Sequence, residues 1–167
     1  MSKKPLAKKP LACVVLAAGK GTRMKSDRNK VLHDLAGLSM VAWLLKTLEA
    51  MEPEKIIIVC SPDAKDLQAA VKHHTIAIQD EANGTGGALK AALPALKGFD
   101  GDVLVTMGDC PLVKRQTLQE LVSSRAGAAL TVLGAVMQNP TGYGRLVTDG
   151  NSIVQKIVEE KLSLIHI

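Results

Sequence analysis

Four short apolar runs, Leu11–Ala17, Ile56–Cys60, Thr75–Gln79 and Val103–Met107, set the rhythm of the chain. Each is of strand length, continuous rather than alternating, and bounded by Gly, Pro or Asp, as expected of strands buried on both faces. Between them the period becomes helical. Val41, Leu44, Leu45 and Leu48 recur at i, i+3, i+4 and i+7 behind Ser39, a residue suited to capping. Ser61-Pro62-Asp63 reads as a start signal for a helix over Lys65–Lys72. Gly86–Lys97 carries Ala88, Leu89, Ala92 and Leu93, with Pro94 predicted to end or kink it. A fourth helix is predicted over Arg115–Arg125.

Strands alternating with helices predict an α/β domain, a mostly parallel Rossmann-like sheet with helices on both faces and right-handed crossovers. After Ala128 the character changes. Ala128–Met137, Arg145–Thr148 and Ile153–Glu159 read as strands joined by turns at Gly142-Tyr143-Gly144 and Asp149-Gly150, predicting a mixed or antiparallel extension. Ligands of open α/β sheets bind beyond the carboxyl ends of the strands. The loops after Ala17, Gln79 and Met107 are therefore expected to share one cleft.

Composition narrows this picture without redirecting it. The 167 residues are 47% hydrophobic and 22% charged, which fits one globular domain with a buried core. Aromatics are only 2%, so the core must be aliphatic, and stacking platforms for single-stranded nucleic acid are lacking. The net charge of +5 is partly an end effect of Lys3, Lys4, Lys8 and Lys9. Residues 1–10 read as a basic flexible tail, with no basic amphipathic helix to make a nucleic-acid or membrane anchor. Leu11–Ala18 follows that charge as a secretory signal would, but it is short, β-branched and runs into Gly19-Lys20-Gly21, so a buried strand is the expectation. No stretch approaches the roughly 20 apolar residues needed to span a bilayer. Cys13, Cys60 and Cys110 are odd in number and far apart, without disulfide or metal-site spacing, which points to a cytoplasmic chain. His33, His73, His74 and His166 form no ligating pattern and read as structural or surface residues; Cys110 reads as a small buried neighbour.

The chemistry concentrates after the first strand, in Leu16-Ala17-Ala18-Gly19-Lys20-Gly21-Thr22-Arg23-Met24. Gly19 and Gly21 let the backbone turn sharply and approach a phosphate, and exposed N–H groups in such a turn form an anion nest. Arg23, Lys25 and Lys30 add the positive charge that a polyphosphate demands. A dinucleotide fingerprint would need glycine where Met24 stands, and a P-loop needs G-x-x-x-x-G-K-[ST], which is not supplied.

The stretch Leu16–Met24, followed by Lys30-Val31-Leu32, resembles the signature of the sugar nucleotidyltransferase superfamily, most nearly the uridylyltransferases that act on N-acetylglucosamine-1-phosphate. Three later segments are similar in the same order: Gln79-Asp80-Glu81-Ala82-Asn83-Gly84-Thr85-Gly86 to the uracil-reading loop, Gly108-Asp109-Cys110-Pro111-Leu112 to the metal loop, and Asn139-Pro140-Thr141-Gly142-Tyr143-Gly144-Arg145 to the sugar-side loop. The likeness runs from about Leu11 to Glu160. It implies the nucleotide-diphospho-sugar transferase fold over residues 11–160, incomplete at the C-terminus, with residues 161–167 a tail of doubtful origin. It further implies that UTP and the sugar-1-phosphate react to give UDP-N-acetylglucosamine and pyrophosphate, for cell-wall precursor synthesis, with Mg²⁺ as cofactor and neither nucleic acid nor membrane as partner.

The resemblance makes Arg23 and Lys30 the catalytic cations. Leu16, Ala17, Ala18, Gly19, Gln79, Gly84, Thr85 and Gly108 are the implied nucleotide contacts, with Lys30 among them. Gly144 and Glu159 are implied on the sugar side, and Asp109 as the metal ligand. Taken without it, Lys30 is a surface lysine, Asn83-Gly84 a turn before a helix, and Asp109 a turn aspartate before Pro111. Asn29 stands where the family has proline, predicting a looser Lys30; Gly87 stands where histidine is common, and Met107 where an aromatic is. Family members continue well past Glu160, completing the sugar pocket and adding a second metal ligand, so little turnover is expected of these residues alone. Full-length members form homotrimers through a further domain that the 167 residues do not include. Two alternatives stay open: a guanylyl- or cytidylyltransferase with a similar first loop, or a non-catalytic nucleotide-binding module.

Overall fold

The computed structural model describes residues 9–19, 21, 24, 26, 28–125, 127–151 and 153–159. The basic tail up to Lys8, the loop residues Lys20, Thr22, Arg23 and Lys25, and the segment 160–167 lie outside the described residues. The chain divides into two compact units, Met1–Gly127 and Ala128–Ile167.

The first unit is built on a parallel four-stranded sheet. Strands β1 (Leu11–Leu16), β4 (Lys55–Cys60), β5 (Thr75–Ile78) and β6 (Asp102–Met107) are ordered β5-β4-β1-β6. All four strands predicted from the apolar runs form, to within a residue at either end. A short antiparallel pair, β2 (Asp34–Leu35) and β3 (Leu38–Ser39), precedes the first helix.

Helix α1 (Met40–Glu49) starts where Ser39 Oγ accepts the Ala42 N–H at 3.3 Å, and it buries Val41, Leu44, Leu45 and Leu48 as their spacing predicts. Helix α2 (Lys65–Ala70) is shorter than predicted and begins behind Ala64 without a side-chain cap. Helix α3 (Gly84–Ala92) begins two residues before Gly86 and passes at Leu93 into a 3-10 turn, Leu93–Leu96, which accepts Pro94. Helix α4 covers Arg115–Ser124.

The alternation of the strands sorts the core into two layers. Cys13, Val15, Ile56, Ile58, Cys60 and Leu104 face α1, α2 and α4, through Leu44, Leu48, Leu67 and Leu118 among others. Val14, Leu16, Ile57, Val59 and Ala77 face α3, through Ala88 and Ala92. β1 and β4 are thus buried on both faces. β6 is not: Val103, Val105 and Met107 remain 39–41% exposed, contrary to the sequence expectation, because α3 covers β1, β4 and β5 and stops short of that edge.

In the second unit, β7 (Arg145–Thr148) and β8 (Val154–Val158) form an antiparallel ribbon in the register Arg145↔Val158, irregular at Val147/Thr148. The strand predicted over Ala128–Met137 does not form; these residues have no regular secondary structure and most are exposed. A strand exists by pairing its N–H and C=O groups with a neighbour, and no described strand pairs with this segment. No helix among the described residues is long and apolar enough to cross a membrane.

Candidate active site

The strand order fixes where a ligand can enter. From β1 the chain moves outward to β4 and β5, then returns to β6 on the other side of β1. Crossovers diverge on either side of the β1–β6 pair, which leaves a crevice at the carboxyl ends of those two strands. A cleft of about 330 Å³ lies there. Leu16 and Ala17 line it from the end of β1, Gly19 and Gly21 from the loop beyond, Lys30 from the 3-10 turn Lys30–Leu32, and Asp109 from the end of β6.

Backbone bonds hold its walls. Ala17 N–H donates to the Val59 carbonyl at 2.9 Å, and Gly108 N–H donates to the Leu16 carbonyl at 2.9 Å. Gly108 is buried, and a Cβ there would meet Ala17 Cβ at 3.1 Å, Val31 Cγ1 at 3.2 Å and the Leu16 carbonyl at 3.3 Å. Only glycine brings the β6 loop this close to β1. Gly21 has φ +58 and packs on the stem of Lys30, where a Cβ would lie 2.7 Å from Lys30 Cβ. Gly19 needs neither freedom, since nothing stands within 4 Å of its missing Cβ.

Lys30 and Asp109, 79 residues apart, meet across the cleft with Nζ donating to Oδ2 at 2.5 Å. Both are partly exposed, at 38% and 31% of their side chains, so the pair is accessible to a ligand. Lys30 is held from below by buried Val31 and Leu32. Asn29, expected to loosen it, instead caps its turn: Oδ1 accepts the Val31 N–H at 3.2 Å. Its φ of −54 also lies in the window that proline would impose. Arg28 turns away to pair with Asp34 at 3.3 Å.

Cys110 is exposed rather than buried, because the turn after β6 faces outward at that residue. Its thiol Sγ stands 3.9 Å from Asp109 Oδ1. Partial desolvation, followed by the charge and hydrogen bond of Asp109, raises its pKa, with Lys30 acting in the opposite sense. The thiol is thereby kept protonated, which disfavours it as a ligand or nucleophile.

The second cluster sits at the end of β5. Gln79 N–H donates to the Cys60 carbonyl at 2.9 Å, and the side chain, 9% exposed, turns back to α3. Its Nε2 donates to Asn83 Oδ1 at 3.0 Å and to the Gly84 carbonyl at 3.1 Å. Gly84 has φ +86, a conformation that side chains disfavour, and Thr85 is exposed in the first turn of α3. This corner does not line the β1–β6 cleft. β5 is separated from β1 by β4, so two strand spacings, roughly 10 Å, intervene. The three loops expected to share one cleft lie along the same carboxyl edge of the sheet; those after β1 and β6 line the cavity of about 330 Å³, and Gln79 stands beyond its lining residues. Ala18, placed among the nucleotide contacts, is partly buried against the α3-side core.

Within the second unit, Gly144 and Glu159 flank the paired residues Arg145 and Val158, and a Cβ on Gly144 would stand 3.6 Å from Glu159 Oε1. The ribbon therefore brings these two residues together. Arg23 lies outside the described residues. Sequence reasoning anticipated neither the Gln79–Asn83 contact nor the Asn29 cap; an Asn directly before a helix start was the available signal for both.

Residues 13–152 match the MobA-like NTP transferase domain. Among curated relatives, the bifunctional protein GlmU of Prochlorococcus marinus (strain NATL2A) is 42% identical over 156 residues, covering 90% of this chain and 35% of that protein. The bifunctional protein GlmU of Geotalea uraniireducens (strain Rf4) is 44% identical over 156 residues, covering 90% of this chain and 34% of that protein. The chain thus spans about a third of the length of these relatives. Among solved structures, HddC from Yersinia pseudotuberculosis superposes with a TM-score of 0.71 at 28% identity, over 89% of this chain and 68% of that one. The 4-diphosphocytidyl-2C-methyl-D-erythritol synthase of Anaerococcus prevotii DSM 20548 shares the fold at 16% identity, with a TM-score of 0.64 over 89% of this chain and 64% of that one. With the glycine-bounded crevice at the end of β1 and 140 consecutive residues matched, the chain belongs to the family of MobA-like NTP transferase domains.

Proposed function

We propose that this chain is the nucleotide-binding part of a uridylyltransferase that converts UTP and N-acetylglucosamine-1-phosphate into UDP-N-acetylglucosamine and pyrophosphate. A sugar-phosphate oxygen attacks the α-phosphorus of UTP; the new P–O bond forms as the bond to the bridging β-phosphate oxygen breaks, and pyrophosphate leaves. The observation that carries this reading is the Lys30–Asp109 pair, an ammonium and a carboxylate set together at the topological switch point. Its closeness in sequence to the GlmU proteins supports the choice of substrates.

Phosphoryl transfer needs alignment and charge neutralisation more than covalent help. Lys30 binds phosphate oxygens near the reacting centre, and Arg23 takes up the charge of the departing pyrophosphate. Backbone groups of Leu16, Ala17, Ala18, Gly19 and Gly108 follow the nucleotide, while Gln79, Gly84 and Thr85 face uracil and ribose. Gly144 and Glu159 address the sugar.

Asp109 fits a divalent ion, Mg²⁺ in this reading. No group of three or more His, Cys, Asp or Glu side chains that could hold a metal exists among the described residues. Asp109 is a single half-exposed carboxylate already holding a cation, which suits Mg²⁺ shared with phosphate oxygens and waters rather than an all-protein cage. When bound, the ion neutralises triphosphate charge.

Calorimetric titration with UTP, CTP and GTP, with and without Mg²⁺, tests this reading, together with pyrophosphate release in the presence of N-acetylglucosamine-1-phosphate. UTP is expected to bind most tightly, with a dependence on Mg²⁺ that D109N abolishes. Tighter binding of GTP or CTP, or a D109N chain that still responds to Mg²⁺, would overturn it.

A further inference from the structure

An asparagine at the start of a helix normally gives its side-chain oxygen to a backbone N–H of the first turn. Asn83, directly before α3, makes no such bond. Its Oδ1 accepts from Gln79 Nε2 at 3.0 Å instead. We propose that Asn83, given room by Gly87, is a positioning residue that fixes the orientation of the Gln79 carboxamide and thereby sets a preference for uracil over cytosine. The inference rests on the uridine reading above.

The orientation follows from chemistry. The same Nε2 donates to the Gly84 carbonyl at 3.1 Å, and a carbonyl can only accept. Reversing the amide would set Oε1 against two acceptors, the Gly84 carbonyl and Asn83 Oδ1. Both hydrogens of the Gln79 NH₂ are therefore committed, while Oε1 accepts no hydrogen bond among the described residues. Gln79 thus presents a bare acceptor. Uracil offers an N3–H donor to such a group. Cytosine offers an N3 lone pair, which repels it. Because Gln79 is nine-tenths buried, a mismatched oxygen has little water to fall back on.

Gly87 is the second half of the device. A Cβ on it would lie 1.5 Å from Asn83 Oδ1 and 2.3 Å from Asn83 Cγ. No positive φ requires glycine there, and an interior glycine weakens a helix by about 1 kcal/mol relative to alanine. The space it opens is filled by the Asn83 amide. Any larger residue at 87 and this placement of Asn83 exclude each other.

The test uses the full chain and the variants N83L, N83D, G87A and N83L/G87A, with two readouts. The first is the Gln79 side-chain NH₂ signal in ¹⁵N-correlated spectra of the ligand-free protein. The second is the ratio of UTP to CTP dissociation constants. Leu is nearly isosteric with Asn but offers no acceptor, so N83L is expected to speed hydrogen exchange of the Gln79 amide and to reduce the UTP preference roughly three- to ten-fold. N83D keeps an acceptor and should retain most of the preference. G87A should reproduce N83L, and the double variant should be no worse than either single one, the non-additivity of a shared contact. An unchanged Gln79 signal and an unchanged ratio in N83L, or additive losses in the double variant, would overturn the inference. Equal binding of UTP and CTP by the unsubstituted chain would instead sink the uridine reading, and this inference with it.

Discussion

Replacing Lys30 with methionine should change two affinities in opposite directions. The ammonium sits on Asp109 Oδ2 at 2.5 Å, so a divalent ion arriving at that carboxylate must compete with it. At that distance the Coulomb attraction is about 1.7 kcal/mol even at the dielectric constant of bulk water. Side chains exposed by 38% and 31% are well screened and pay entropy for pairing, which brings the net contribution to about 1 kcal/mol. That corresponds to roughly a five-fold change in an equilibrium constant. K30M should therefore bind Mn²⁺ about five-fold more tightly than the unsubstituted chain when no nucleotide is present. It should bind UTP more weakly, because the proposed function makes Lys30 a phosphate ligand. Titration followed by the electron paramagnetic resonance signal of free Mn²⁺ reads the first effect, and calorimetry reads the second. R28Q is the control for net charge, since Arg28 pairs with Asp34 instead, and D109N is the control for the site. Unchanged or weaker Mn²⁺ binding in K30M, or an equal gain in R28Q, would refute the claim that lysine and metal ion share one oxygen.

Three further substitutions or conditions test the frame around that pair. G108A forces a methyl group to within 3.1–3.3 Å of Ala17, Val31 and Leu16; it should destabilise the chain by about 1–3 kcal/mol and lower Tm by roughly 2–4 °C for each kcal/mol, as read by differential scanning calorimetry. N29A removes the cap on the Lys30 turn and should lose about 1 kcal/mol of stability with weaker UTP binding; N29P should not recover it, because proline also removes the N–H that Asn29 donates to Asp66 Oδ2 at 3.5 Å. Burial raises the Cys13 thiol from 9.0 to about 12 and the Cys60 thiol from 9.0 to about 11. Between pH 9 and 11 the folded chain therefore holds protons that the unfolded chain has released, and stability must fall as pH rises, by up to about 1.4 kcal/mol per pH unit for each thiol. C60A should flatten that slope in pH-dependent denaturant melts; an equally steep slope would assign the loss to other groups.

Sequence legibility divides according to the range of the forces involved. β1, β4 and α1 could be read from the chain because continuous apolar runs and a capped i, i+3, i+4, i+7 stripe are local patterns whose burial follows in any α/β packing. The same reasoning failed at β6, whose run is equally apolar: Val103, Val105 and Met107 record that a face could be buried, not that α3 reaches far enough to bury it. It failed again over Ala128–Met137, where aliphatic residues in a row do not make a strand without a neighbour to complete its hydrogen bonds. For the site, the glycine loop after β1 and Asp109 were visible as residue types at strand ends, yet their relation was not. No spacing rule joins Lys30 to a residue 79 positions away; strand order does, by returning the chain to the far side of β1. The same holds at the end of β5 on a smaller scale. Asn83 and Gly87 look like turn and helix punctuation until the Gly84 carbonyl fixes which end of the Gln79 amide faces them. Where the sequence departs from the pattern of its family, at Asn29 and Gly87, the structure supplies a compensating contact or the space for one, filled at Gly87 by the Asn83 amide. Departures of that kind are where substitution will tell most about how the nucleotide grip proposed for this chain differs from that of its relatives.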